Sequence, residues 1–86
     1  MSYELFILKR AQQELAHLPK DDYQRVKETI RSLRENPRPR AAKKLRGREG
    51  WRIRVGNFRV IYELDTEKKL ILVLHIGHRR NVYAHQ

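Results

Sequence analysis

The chain has 86 residues, no cysteine and a formal net charge of +10, from 20 Lys and Arg against 10 Asp and Glu. That length suits a single domain spanning residues 1–86, with a modest core. The missing cysteines exclude a disulfide framework and a zinc-thiolate site, and the charge excess predicts a polyanionic ligand or an acidic protein partner. No apolar run approaches the length of a membrane span, and the opening M-S-Y-E-L-F-I-L-K is charged too early for a signal peptide. A cytoplasmic protein with no membrane partner is expected.

Tyr3 to Leu8 predicts a short strand, because Tyr3, Leu5 and Ile7 alternate with Glu4 and Phe6. From Lys9 the period lengthens, and Ala11, Leu15 and Leu18 fall on one side of a helix that Pro19 ends. Lys20-Asp21-Asp22 opens a second helix with acid in its first turn, where the helix dipole favours it. Its stripe is Tyr23, Val26, Ile30 and Leu33, and Asn36-Pro37 terminates it. About three residues between the helices predict an antiparallel helical hairpin.

Arg38 to Arg48 reads as a basic connection, kept from being a long helix by two prolines nearby and Gly47. From Arg38 to Arg59, nine residues are Arg or Lys and only Glu49 is acidic. Within that span lies W-R-I-R-V-G-N-F-R-V-I-Y, Trp51 to Tyr62, with strict alternation on both sides of Gly56-Asn57. This pattern predicts a β-hairpin closed by a I′ or II′ turn. A two-residue loop sets Val55 against Phe58, Arg54 against Arg59, Ile53 against Val60 and Arg52 against Ile61. Residues opposite one another share a face, so Trp51, Ile53, Val55, Phe58, Val60 and Tyr62 form a core face. Arg52, Arg54 and Arg59 share the other. Like charges across a ladder oppose folding, so an anion is the expected reason for that face. The basic connection running into it predicts a continuous electrostatic footprint for nucleic acid.

The next strand runs from Lys69 or Leu70 to about Ile76, and its few polar residues predict an interior position with both faces covered. Its register is open. If Leu64 faces Leu70, then Leu72, Leu74 and Ile76 join the core and His75 lands opposite Arg59. Ile71 and Val73 then lie with Ile61 beside the arginines, a patch able to seat a partner. A slip of one residue exchanges the two sets. The order is β-α-α-β-β-β, an α+β fold with a helical hairpin on one face of a small, mainly antiparallel sheet. The first strand is expected as an edge neighbour of the last. Gly77 leads out of the last strand to His78, Arg79, Arg80 and Tyr83.

Together, K-K-L-R-G (Lys43 to Gly47), W-R-I-R-V, G-N-F-R-V-I-Y and I-G-H-R-R-N-V-Y resemble the RelE/ParE superfamily of bacterial and archaeal toxins, over nearly the whole chain. The resemblance implies a toxin held inactive by a cognate antitoxin, here an acidic one in a heteromeric complex. In the RelE branch it implies cleavage of messenger RNA in the ribosomal decoding site; in the ParE branch, inhibition of DNA gyrase. RNA cleavage without a metal uses the substrate's 2′-hydroxyl as nucleophile. It needs a base, an acid for the leaving 5′-oxygen, and positive charge on the transition state. By resemblance Arg59 and Arg79 are catalytic arginines, Tyr83 is the tyrosine that stacks on or orients the nucleotide, and Arg46 is a backbone contact. Lys43, Lys44, Arg52 and Arg80 extend the substrate-binding set.

Arg52 and Arg54 stand where the best-understood member has lysines, one of them assigned as general base. Arginine is effectively never deprotonated in a protein, so that role does not transfer to Arg54. His75 or His78 would serve in its place, His78 being expected beside Arg79 at the mouth of the site. Ribosomal RNA supplying the group, or arginines that bind without cleavage, are the alternatives. No Gly-rich phosphate loop, paired carboxylates or metal-ligand spacing is present in the sequence, so neither metal nor other cofactor is expected. The RelE-like nuclease is the leading expectation. A ParE-like gyrase inhibitor and a non-catalytic RNA- or ribosome-binding module are its rivals.

Overall fold

Period-two and period-3.6 patterning alternate along this chain, and the computed structural model, which describes residues 2–46 and 50–78, follows them closely. The first alternating stretch forms β1 (Glu4–Ile7), with Leu5 and Ile7 packed into the core and Phe6 turned away, half exposed. Helix α1 (Lys9–Ala16) has no side-chain N-cap and no acid in its first turn. Eight residues are too few to hold a helix in water by themselves, so α1 depends on packing Ala11, with Leu15 and Leu18, against the sheet. Helix α2 (Lys20–Ser32) carries Asp21 and Asp22 in its first turn and Arg31 in its last, both complementing the helix dipole. It buries Val26 and Ile30 completely, and Leu33 just beyond its end. Each such aliphatic side chain contributes roughly 1.5–3 kcal/mol.

Four strands follow: β2 (Ala42–Lys44), β3 (Trp51–Val55), β4 (Phe58–Asp65) and β5 (Leu70–His78). The sheet order is β1-β5-β4-β3-β2, with β1 parallel to β5 and every other pair antiparallel. As expected, β1 is the edge neighbour of the last strand and β5 is interior. Strand β2 is an addition to the expected order. The basic connection contains three residues that pair with β3 and bury Ala42 opposite Ile53. Both helices lie on one side of the sheet, over a core of Ile53, Val60, Tyr62, Ile71, Val73 and Ile76. The Tyr62 hydroxyl donates to the Pro37 carbonyl at 2.7 Å. Burial pushes its pKa up to about 12, with Arg38 pulling weakly the other way.

The β3–β4 hairpin has the expected register in all respects, Val55 facing Phe58 and Arg54 facing Arg59. Gly56 has φ +60° and Asn57 does not have positive φ, the II′ pattern that matches the twist of the flanking strands.

Strand β5 takes the alternative register. Leu64 faces Ile71, not Leu70, so Ile71 and Val73 are core residues at zero exposure while Leu72 and Leu74 turn outward. The turn chemistry sets this. Asp65 Oδ1 accepts the Lys68 N–H at 2.9 Å, and Lys69 takes a left-handed φ of 56°, which closes the loop with Asp65 opposite Leu70. A bulge then shifts the pairing between Tyr62↔Val73 and Ile61↔His75 and returns Ile76 to the core opposite Val60. His75 therefore faces Ile61 rather than Arg59, and the anticipated Ile61/Ile71/Val73 surface patch does not exist. Outward apolar residues include the exposed Phe6 and Leu8 and the partly covered Leu72 and Leu74.

Candidate nucleic-acid interface

On the face of the sheet opposite the helices, cross-strand pairing arranges the basic residues in two rows. Lys43 on β2 faces Arg52 on β3, which faces Ile61 on β4. The second row is Arg54 on β3, Arg59 on β4 and Gly77 on β5. Between β2 and β5, Leu45, Ile61 and Leu74 pack into a small apolar floor. Leu45 N–H donates to the Gly50 carbonyl at 3.0 Å, which anchors the chain beside the exposed Arg46. A Cβ on Gly50 would sit 3.1 Å from Leu45 Cδ1, so a side chain there would press on this floor.

Burial grades the cluster. Arg54 is exposed, whereas Arg52 and Arg59 are half-buried and Arg59 Nε is enclosed. Among the described residues Glu14 of α1 pairs with Arg10 and hydrogen-bonds His75, and no carboxylate neutralises Arg52 or Arg54. A half-buried guanidinium on a sheet, held by its strand, offers two parallel N–H donors to a phosphate.

Of the expected site residues, Lys43, Arg52, Arg54 and Arg59 come together on this face. Lys44 does not. It pairs with Trp51 and so shares the helix-side face, because neighbours along a strand point to opposite sides. His78 is also displaced from its expected place. It pairs with Phe58, whose side chain faces the core, and the two rings meet edge to face at 5.7 Å and 80°. Arg79, Arg80 and Tyr83 lie outside the described residues, as do Gly47, Arg48 and Glu49.

His75 is mostly buried and its Nδ1 lies 2.7 Å and 2.9 Å from the two carboxylate oxygens of Glu14. A carboxylate at that distance requires the proton on Nδ1. The Arg10 guanidinium, 3.0 Å from the same nitrogen, then lies beside it without donating to it. Glu14 also accepts the backbone N–H of Ile76 at 2.9 Å. Sequence reasoning overlooks Glu14, since its partners lie some sixty residues away and one is a backbone amide.

Comparison with known proteins agrees with this arrangement. Residues 5–83 match the family described as the ParE toxin of type II toxin–antitoxin systems, parDE. The RelE1 protein of Methanocaldococcus jannaschii is 33% identical over 87 residues, covering 96% of this chain and 97% of its own. Among solved structures, the RelBE2 toxin–antitoxin complex of Mycobacterium tuberculosis contains a chain that matches with TM-score 0.80 and 27% identity, over 92% of this chain and 100% of that one. The archaeal RelE–RelB complex of Pyrococcus horikoshii contains one with TM-score 0.78 and 31% identity, over 92% and 97%.

Proposed function

The chain belongs to the RelE/ParE superfamily of type II toxins, and from that premise we propose that it is a RelE-like messenger RNA interferase acting on the ribosome in the cytoplasm. The observation that carries this reading is the gathering of Arg52, Arg54 and Arg59 on the face of the sheet opposite the helices, with no carboxylate among the described residues drawn to Arg52 or Arg54. In the reaction, the 2′-hydroxyl attacks the adjacent phosphorus and the 5′-oxygen leaves, giving a 2′,3′-cyclic phosphate and a 5′-hydroxyl. Negative charge grows on the phosphoryl oxygens in the transition state. Fixed guanidinium groups at that position lower the barrier because they need no reorganisation. Arg59, half-buried and backed by the sheet, is the charge stabiliser. Arg54, Arg52 and Lys43 hold the RNA backbone. None of the four carries a proton to or from substrate in this scheme. His78, on the Phe58 side of the sheet, is not assigned that role either.

The partner is an acidic antitoxin. RelB bound to RelE in the Pyrococcus horikoshii complex and the assembled RelBE2 complex support an antitoxin partner, and the net charge of +10 supports its acidity. Its carboxylates would neutralise the arginine rows, and its apolar residues would meet Leu72 and Leu74 rather than the buried Ile71 and Val73.

A second reading keeps support from two observations: the matching family description is that of ParE, and Arg52 and Arg54 stand where the best-understood RelE member has lysines. It makes the chain a gyrase inhibitor with no catalysis of its own. Programmed ribosomes with mapped message ends, run beside a gyrase supercoiling assay, separate the two. Cuts in the decoding site that vanish in Arg59→Ala establish the nuclease. Inhibited supercoiling with intact message establishes the inhibitor.

A further inference from the structure

Strand β1 stops short of the end of β5. Its last link is the Leu8 N–H donating to the Val73 carbonyl at 3.0 Å, after which the chain turns into α1. From the bulge onward no strand among the described residues lies beside the outer edge of β5, yet this segment leads to Gly77, the cross-strand neighbour of Arg59. Glu14 occupies the place a continued β1 would take. One carboxylate oxygen accepts the Ile76 N–H at 2.9 Å, and the same carboxylate binds His75 Nδ1. Arg10, one turn earlier, lies 3.8 Å from the second oxygen and steadies it from the solvent side. A side chain on the first helix thus grips two consecutive residues of a bulge, where strand pairing is interrupted and register is least determined.

We propose that Glu14 is a positioning residue for the arginine site. By holding His75 and Ile76 it fixes the bulge, keeps Gly77 opposite Arg59, and so sets where the Arg59 guanidinium sits on the bare face. Its effect on cleavage rests on the nuclease reading above; its effect on Arg59 does not. Glu14→Gln keeps an acceptor for the Ile76 N–H but loses the charge and the second carboxylate oxygen. Glu14→Ala loses both contacts.

The test compares full-length wild type, Glu14→Gln, Glu14→Ala and, as a control for lost negative charge, Glu28→Ala on the exposed side of α2. Single-turnover cleavage and ribosome affinity are measured alongside NMR signals of the Ile76 and Gly77 amides and the Arg59 Nε–H. Expected in Glu14→Ala is a cleavage rate lower by about 10- to 100-fold at nearly unchanged affinity. The Gly77 and Arg59 signals should move while those of Ala42 to Lys44 stay in place. Glu14→Gln should fall between, and Glu28→Ala should match wild type. A folded Glu14→Ala with unmoved Arg59 and Gly77 signals overturns the proposal, as does a loss confined to affinity. If Glu14→Ala does not fold, the same signals in Glu14→Gln decide. If wild type leaves message uncut, the nuclease reading fails and the Arg59 and Gly77 signals alone decide the positioning role.

Discussion

Arg54 and Arg59 stand directly opposite one another across the β3–β4 ladder, on the side of the sheet that the helices leave bare. Two like charges in that geometry work against the fold. Arg54 is exposed and has no carboxylate partner among the described residues, so its replacement relieves repulsion without removing a contact. Arg54→Thr is expected to raise stability by about 0.2–1 kcal/mol in urea unfolding, threonine also being a good strand former. The same change should weaken RNA binding. A destabilised variant would show that Arg54 serves the fold rather than a ligand.

Affinity for single-stranded RNA should depend steeply on salt, since each phosphate neutralised releases a counterion. Removing one phosphate-binding arginine is expected to lower the slope of log K against log salt by about 0.7. Arg52→Ala and Arg54→Ala should each do so, whereas Lys44→Ala, on the Trp51 side of the sheet, should leave the slope as it is. Fluorescence titrations at several salt concentrations measure this directly. Equal losses from Lys44 and Arg54 would mean that binding ignores the face of the sheet.

For the reaction itself, Arg59→Ala is expected to slow message cleavage by at least about 100-fold, the usual effect of removing one fixed donor from a developing oxyanion. Arg59→Lys retains charge but not the planar fork, and should recover only part of the rate. Rapid-quench cleavage on programmed ribosomes gives both numbers. A wild-type rate in Arg59→Ala removes Arg59 from the chemistry.

How much of this was legible in the sequence varies with the pattern. Strand hydropathy alternates cleanly from Trp51 to Tyr62, and Gly-Asn marks the turn, so register, core face and arginine face all followed from those residues. From Leu70 to Leu74 every residue is apolar, so a period of two cannot say which side is buried. The deciding elements were a side-chain bond within the Asp65 turn, a left-handed lysine where glycine or asparagine is usual, and a bulge. Strand β2 was hidden because three residues, two of them lysines, carry no periodicity. His78 was expected beside the arginines, but its pairing with Phe58 turns it to the other face.

The two faces of β5 can be told apart by paired substitutions. Val73 is fully buried between sheet and helices, and Val73→Ala should cost about 2 kcal/mol for the lost methyl groups and the cavity left behind. Leu72, one residue earlier, points outward and is only partly covered, so Leu72→Ser should cost less than about 1 kcal/mol. Urea midpoints measure both. The reverse ranking would restore the register in which Leu64 faces Leu70.

Tyr62 gives a prediction in the alkaline range. Its hydroxyl is buried and bonded to the Pro37 carbonyl, and its pKa is pushed up to about 12, against 10.0 for the ordinary phenol. Between those values the unfolded chain releases the proton and the folded chain keeps it, so the unfolded state binds fewer protons and stability falls as pH rises. The contribution is fully present below pH 10 and lost on the way to about 12, amounting to roughly 2–3 kcal/mol. Tyr62→Phe cannot ionise. It should start about 1 kcal/mol less stable at neutral pH, having left the Pro37 carbonyl without its donor, and should then decline less steeply above pH 10. Urea unfolding of both proteins from pH 7 to 11.5 makes the comparison, with phenolate absorbance at each pH reporting which tyrosines have ionised. Parallel curves would mean that the Tyr62 hydroxyl reaches water in the folded chain, contrary to its burial in the core.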